Sequence, residues 1–322
     1  MREGYSNINV SFLLGITTSL YPSSTNLSLK DILALLFLIR VVIKEGPDVV
    51  HLHSSKAGFL GRIGCFFTFT KAIYTPHGAS FLIKSNKKIL IFFYKLLEKL
   101  AYMFGGVIVC VSESERNAFL NLNLKAQYIN NGIKPLIRIG NHAFKKKEGV
   151  IKIINSGRIS EQKNPQLFND IALNFINERN IQFVWIGDGE LKKLLSAPNI
   201  EVTGWLTKQA LIEELSSANL YLSCSSWEGL SIAILEAMQL KLPLLLTSCV
   251  GNIDLVKPNI NGWVYNTKEV ACNKISEIME NKYDLVSLGE MSFQIQNNHF
   301  NALKMSKQYS DLYKNILNRY YE

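Results

Sequence analysis

Cysteine is scarce and scattered in this chain of 322 residues. Cys65, Cys110, Cys224, Cys249 and Cys272 are odd in number, form no C-x-x-C pair and sit mostly within apolar runs. That pattern excludes a disulfide framework and a zinc ribbon and predicts buried, reduced thiols in a cytoplasmic protein. Long apolar runs are also missing, since the longest, 32–43, is broken by Arg40 and falls short of a bilayer span. The opening Met1-Arg-Glu-Gly-Tyr5 is polar, so no secretory leader is expected at that end. There is no G-x-G-x-x-G fingerprint, no P-loop, no nucleophile motif, no internal repeat and no low-complexity tract. What remains is a soluble or membrane-peripheral globular chain long enough for two cores.

The formal charge of +9 is unevenly spread. Residues 1–148 carry 19 Lys and Arg against 8 Asp and Glu, whereas residues 149–322 carry 16 against 18. A basic first half implies anionic company, which charge alone does not identify. Nucleic acid ranks low, because the cations are not interleaved with aromatics on a recognisable module.

Along the chain, apolar and polar residues alternate at 7–14, as in a strand. Helix is expected at 29–44, strand at 48–53, helix at 57–67 and strand at 72–74, closed by Thr75-Pro-His77-Gly78. A helix over 87–104 carries Lys87, Lys88, Lys95 and Lys99 along an apolar body. Two readings stand, a membrane-surface helix and a core helix whose lysines snorkel, the second favoured by bulky residues on nearly every face. Strand 107–111, Ser112 as a cap, helix 113–122 and a short strand and turn at 128–133 follow. The segment 137–149, with Lys145-Lys-Lys147, reads as a solvated linker. Beyond it the alternation restarts with strands at 150–155, 182–186, 200–203, 220–224 and 243–247 and helices between them, one of them after Glu190. After Val264 the pattern turns helical. Strands alternating with helices predict two doubly wound α/β domains with parallel sheets, whose ligands bind at the C-terminal strand ends, facing across a cleft.

The candidate chemistry maps to those ends. Glu228-Gly-Leu-Ser-Ile-Ala-Ile-Leu-Glu236 follows the strand at 220–224 and opens a helix near Ser231. The backbone N–H groups of Gly229, Leu230, Ser231 and Ile232 form a seat for an anion, with carboxylates beside it for vicinal hydroxyls. A nucleotide-sugar meets both requirements; two solvated glutamates on an ordinary helix would be the plain alternative. Arg158 and Lys163, in Gly157-Arg-Ile-Ser-Glu-Gln-Lys163, are placed to neutralise a diphosphate leaving group. His77 is a candidate for a sugar hydroxyl or for proton transfer, although a lone histidine beside a strand is commonly structural. His51 and His53 lack the neighbours a metal site needs, and Gly187-Asp-Gly189 reads as a turn whose glycines supply positive φ.

Taken together these residues resemble the retaining glycosyltransferases of the GT-B fold, the large family 4. The resemblance rests on the E-x7-E spacing of Glu228 and Glu236, on Gly157-Arg158 with Lys163, on Pro76-His77-Gly78, and on Asn131-Gly132. The run from Asp48 to Arg62 is similar to the bacterial branch that builds surface polysaccharide on an undecaprenyl-diphosphate carrier. The resemblance implies metal-independent transfer from a nucleotide-sugar, UDP first and GDP second, to a lipid-diphosphate-linked glycan, by a peripheral protein on the anionic inner face of the plasma membrane. It implies that Glu236 holds ribose hydroxyls, Glu228 the donor sugar, Arg158 and Lys163 the diphosphate, and His77 a sugar hydroxyl. The expected domains are 1–136 and 150–300, with 301–322 packing back on the first. Family members open with a strand and glycine-rich loop, so the first domain is expected to lack one βα unit.

Overall fold

The computed structural model describes residues 29–84, 88–136 and 149–318. The expected strand at 7–14 and nearly all of the linker, with its lysine triplet, lie outside those residues. The chain divides into two compact units, residues 1–129 with 307–322, and residues 130–306.

In the first unit α1 (Leu29–Glu45) leads to β1 (Val49–His53), α2 (Ser55–Phe67), β2 (Lys71–Thr75), α3 (Lys88–Tyr102), β3 (Val107–Cys110), α4 (Glu113–Leu120) and β4 (Ala126–Tyr128). The four strands are parallel in the order β1-β2-β3-β4. A right-handed crossover between each pair of neighbours puts α2, α3 and α4 on one face of that sheet. Side chains alternate across a strand, so Val50, Leu52, Ala72, Tyr74, Ile108 and Cys110 meet those helices and form the core. His51 and His53 point to the other face.

The glycines of α2 are there for contact. A Cβ at Gly61 would lie 2.2 Å from a methyl of Leu52, and one at Gly58 would lie 2.1 Å from the Tyr74 ring. With no side chain in the way, α2 lies close on the sheet, and Arg62 of the same helix is fully buried beneath it. Its Nη2 donates to Glu98 of α3 at 2.8 Å, its Nε donates to the Gly58 carbonyl at 2.9 Å, and its guanidinium stacks 4.4 Å from the Tyr74 ring centre. Tyr74 completes the network by donating to the other Glu98 oxygen at 2.8 Å. The two charges are thus paired in the interior, with both Glu98 oxygens bonded and only Arg62 Nη1 buried without a hydrogen-bond partner among the described residues. They also fix which side of α3 faces inward.

The second unit holds β5 (Ile151–Ser156), α5 (Pro165–Leu173), β6 (Ile181–Ile186), β7 (Ile200–Gly204), α6 (Lys208–Ser216), β8 (Leu220–Ser223), α7 (Ile232–Gln239), β9 (Leu244–Thr247), β10 (Gly262–Tyr265), α8 (Lys268–Met279) and α9 (Leu285–His299). The last helix, α10 (Ala302–Asn318), follows. Strand order is β10-β9-β8-β5-β6-β7, all parallel. Both β8 and β9 are buried along their whole length, which is why they read as continuous apolar runs. From β5 the chain builds outward to β7 and then crosses back to β8 on the other side of β5. The crevice between β5 and β8 is therefore the switch point of the sheet, where ligands of such folds bind.

Two expected elements differ. The helix after Glu190 is a single 3-10 turn, Lys192–Leu194, because Pro198 follows too soon for a longer helix. Ahead of the helical pattern expected after Val264, where no strand is expected, β10 forms and pairs alongside β9. All five cysteines are free and buried.

Candidate functional site

At the switch point the loops after β5 and β8 meet. Lys163 Nζ lies 2.6 Å from Glu228 Oε1, and both side chains are largely buried. Gln162 joins them, its Nε2 donating to the Trp227 carbonyl at 3.0 Å and to Glu228 Oε2 at 3.3 Å, while Ser226 N donates to the Gln162 carbonyl at 2.8 Å. Burial on its own would pull the Lys163 ammonium down, but the adjacent Glu228 carboxylate outweighs it and lifts Lys163 above the ordinary lysine value. Lys163 therefore stays charged.

Local sequence explains how these loops hold their course. Gly187 has φ +138°, and a Cβ there would sit 2.2 Å from the Gly157 carbonyl oxygen, so only glycine lets the ends of β5 and β6 touch. Gly157 N donates to the Ile186 carbonyl at 2.9 Å, and Trp185 Nε1 donates to the Gly157 carbonyl at 3.0 Å. Gly189 has a different task from the one expected, since it is needed for close approach to the Ile159 backbone and not for a positive φ. Asp188 turns inside that loop as expected, accepting from Gly189 N at 2.8 Å. Asn164, at φ 50°, caps α5 by accepting from Leu167 N, with Pro165 in the first turn. Lys163 is thereby set at the end of a short, fixed loop. Arg158 stands exposed on the same loop, with no ion pair among the described residues.

The segment from Glu228 to Ser231 is buried throughout, and α7 starts at Ile232. Ser231 occupies the cap position, as expected, but its hydroxyl makes no capping bond. Asn131 Nδ2 donates to the Leu230 carbonyl at 3.0 Å and pins the loop from outside. Glu236, one turn into α7, pairs with Lys208 of α6. Neither Gln162 nor Lys208 is among the residues that the sequence motifs mark out.

His77 belongs to the first unit. It sits at φ 55°, a left-handed conformation that a residue with a side chain adopts only when its surroundings enforce it. The enforcing group is Glu115 of α4, which is fully buried. Its Oε1 accepts from Gly78 N at 2.7 Å and Ala79 N at 3.0 Å, and its Oε2 accepts from Val111 N at 3.0 Å. Burial lifts the Glu115 carboxyl above its ordinary value against the pull of those three donors. Its signal in the sequence was the spacing Ser112-x-x-Glu115, a capping-box pattern whose serine does accept from Glu115 N at 3.2 Å.

His77 Nε2 and His53 Nδ1 are 2.9 Å apart, and His51 bonds Tyr313 at 2.8 Å through Nδ1 and Thr75 at 2.8 Å through Nε2. Burial first, then mutual repulsion, lowers His51 to about 3 and His77 to about 4, and burial lowers His53. The folded histidines are therefore neutral at pH 7. Their contribution is fully present above the unfolded value of about 6.5 and is lost as the pH falls below it toward the folded values. His51 supplies a slope of about 1.4 kcal/mol per pH unit at most; the rings of His53 and His77 are packed against their neighbours but keep an exposed edge, and solvent screens much of their share. The melting temperature is expected to drop between pH 7 and pH 5. Scanning calorimetry on a His51→Gln variant checks the assignment, because the drop should be shallower there.

Residues 141–297 match the family described as glycosyl transferases group 1, and residues 12–135 match glycosyltransferase family 4. The chain is 30% identical over 321 residues to an Escherichia coli UDP-Gal:alpha-D-GlcNAc-diphosphoundecaprenol alpha-1,3-galactosyltransferase, spanning 89% of this chain and 81% of that one. It is 28% identical over 255 residues to the Escherichia coli O-antigen biosynthesis glycosyltransferase WbnH, spanning 76% and 71%. Among solved structures, HepE of Anabaena in complex with UDP superposes with a TM-score of 0.72 at 16% identity, over 87% of this chain and 82% of that one.

Proposed function

Because the chain belongs to the group 1 glycosyltransferases and has the GT-B fold, we propose that it moves a hexose or N-acetylhexosamine from a UDP-sugar to a lipid-diphosphate-linked glycan during bacterial surface-polysaccharide synthesis. A GDP-sugar is the second choice of donor. The anomeric configuration is retained, and the reaction runs at the inner face of the plasma membrane. The name of the Escherichia coli relative, with its UDP-sugar donor and undecaprenyl-diphosphate acceptor, supports this reading.

The observation that carries it is the Lys163–Glu228 pair at the switch point. When the bond from the anomeric carbon to the diphosphate breaks, its electron pair leaves on the phosphate oxygen. Negative charge grows there, and Lys163 and Arg158 neutralise it. An ammonium has three donors, so Lys163 can hold Glu228 and a phosphate oxygen at once. In this reading the N–H groups of Gly229 to Ile232 bind phosphate oxygens, Glu228 orients the donor sugar, Glu236 accepts from ribose hydroxyls and His77 bonds a sugar hydroxyl. The acceptor hydroxyl bonds to the anomeric carbon on the face the diphosphate left, and its proton passes to the departing diphosphate oxygen.

A panel of UDP- and GDP-sugars, offered with a synthetic polyprenyl-diphosphate-linked sugar, tests it. Turnover with one donor is expected, and NMR of the product should show the donor's anomeric configuration. Nucleotide binding with no transfer from any donor would mark a non-catalytic relative, and an inverted product would overturn retention.

A further inference from the structure

Helix α3 has an apolar stripe on its outer side. Glu98 and Ala101 are its buried residues, held inward by the Arg62 pair. At 100° per residue, Ile89, Phe92, Phe93, Leu96 and Leu100 fall within an arc of about 100° on the opposite side, with Met103 just past the helix end. The exposures agree with the geometry: Ile89 is 85% exposed, Met103 77% and Phe92 67%. A core helix would hide such residues. Lys88, Lys95 and Lys99 lie within about 40° of one another along one flank of the stripe, and the helix has no acid besides the buried Glu98.

The stripe continues onto α2. Phe66, at the end of that helix, meets Phe104 edge to face with ring centres 5.5 Å apart. Beside it Phe67 is 62% exposed, and Phe69 is 93% exposed at φ 55°. Large aromatic and aliphatic residues side by side on a surface mark an interaction site. Of the possible occupants, a second copy of the chain fits poorly, because a two-fold contact through this face would bring lysines together with no acid to answer them. A bilayer takes both features, accepting the apolar stripe into its interface and offering anionic headgroups to the lysine row.

We propose that the outer face of α3, with the end of α2, is the surface on which the protein docks to an anionic lipid bilayer. The proposal adds a docking face to the membrane-bound acceptor of the functional reading and rests on that reading only for its purpose. Its test needs no turnover. All four tryptophans, Trp185, Trp205, Trp227 and Trp263, are in the second unit, so a Phe92→Trp variant of the full chain adds one reporter to this face. With phosphatidylcholine vesicles containing phosphatidylglycerol, its emission is expected to shift to the blue and to be quenched by brominated lipid. In that chain Lys95→Glu with Lys99→Glu should weaken the binding by roughly 100-fold, and Ile89→Asp with Leu96→Asp, both on the exposed stripe, should abolish it. Hydrolysis of a soluble nucleotide-sugar, where the unaltered chain shows it, should be unchanged in these variants, which separates failure of docking from failure of the catalytic reading. Equal binding by the charge-reversed variant would overturn the proposal. So would indifference to vesicles combined with a dimer in sedimentation that Ile89→Asp and Leu96→Asp dissolve.

Discussion

Replacing Lys163 by Ala is expected to lower kcat/KM for sugar transfer roughly 100- to 1,000-fold, the usual effect of removing one group that neutralises charge in the transition state. The same change should destabilise the fold by about 3–5 kcal/mol, because it leaves a buried carboxylate without its partner. Glu228 is 5% exposed, and its remaining partner, Gln162, brings no charge. The two losses have different causes and can be separated. Combining Lys163→Met with Glu228→Leu removes both charges, and the melting temperature should recover much of the way toward that of the unaltered chain. Turnover should not recover, since neither the cation nor the carboxylate is left to act on the donor. Recovery of both would mean that the pair serves only the fold. Arg158→Ala provides the contrast: Arg158 is exposed and unpaired among the described residues, so it should cost turnover with little change in melting temperature.

The second unit was the more legible of the two, for a reason its residues make plain. Lys163 and Glu228 stand in short segments that follow buried strands, and a doubly wound sheet forces such segments to its C-terminal edge. Residue type and position along the chain were enough to place cations and carboxylates at that edge, whereas the direct pairing of Lys163 with Glu228 shows only in the structure. The failures were local. Gly262-Trp-Val-Tyr265 is too short, and opens on a residue too poor in strand propensity, to announce β10; it pairs because the Leu244–Thr247 edge is there to receive it. The helix predicted after Glu190 had the right residues but no room.

In the first unit the sequence could name His77 but not what holds it, because Glu115 and the Gly78 amide are 37 residues apart. No periodicity reports a contact of that kind. Helix α3 failed in another way. Apolar residues surround it almost completely, so the hydrophobic pattern cannot give its rotation. One buried ion pair between Arg62 and Glu98 decides it, and with that decision the preference for a core helix gives way to an exposed apolar stripe.

Glu115→Ala should leave three backbone donors, those of Gly78, Ala79 and Val111, without an acceptor, and at about 1–3 kcal/mol for each unpaired group the chain is expected to lose at least 3 kcal/mol of stability. The Gln variant is the sharper probe. Its amide oxygen can still accept from Gly78 and Ala79, which share one carboxylate oxygen, while its NH₂ group would face the Val111 donor. Stability should fall less, and the turn bearing His77 should survive in a looser form. If Glu115 acts on turnover by holding His77 in its left-handed conformation, Glu115→Gln should reduce kcat/KM in the unaltered chain and have almost no further effect once His77 is replaced by Ala. Equal reductions in both backgrounds would show that Glu115 supports the fold at large and not His77. A double-mutant cycle on transfer activity, with melting temperatures of all four proteins beside it, gives the answer directly.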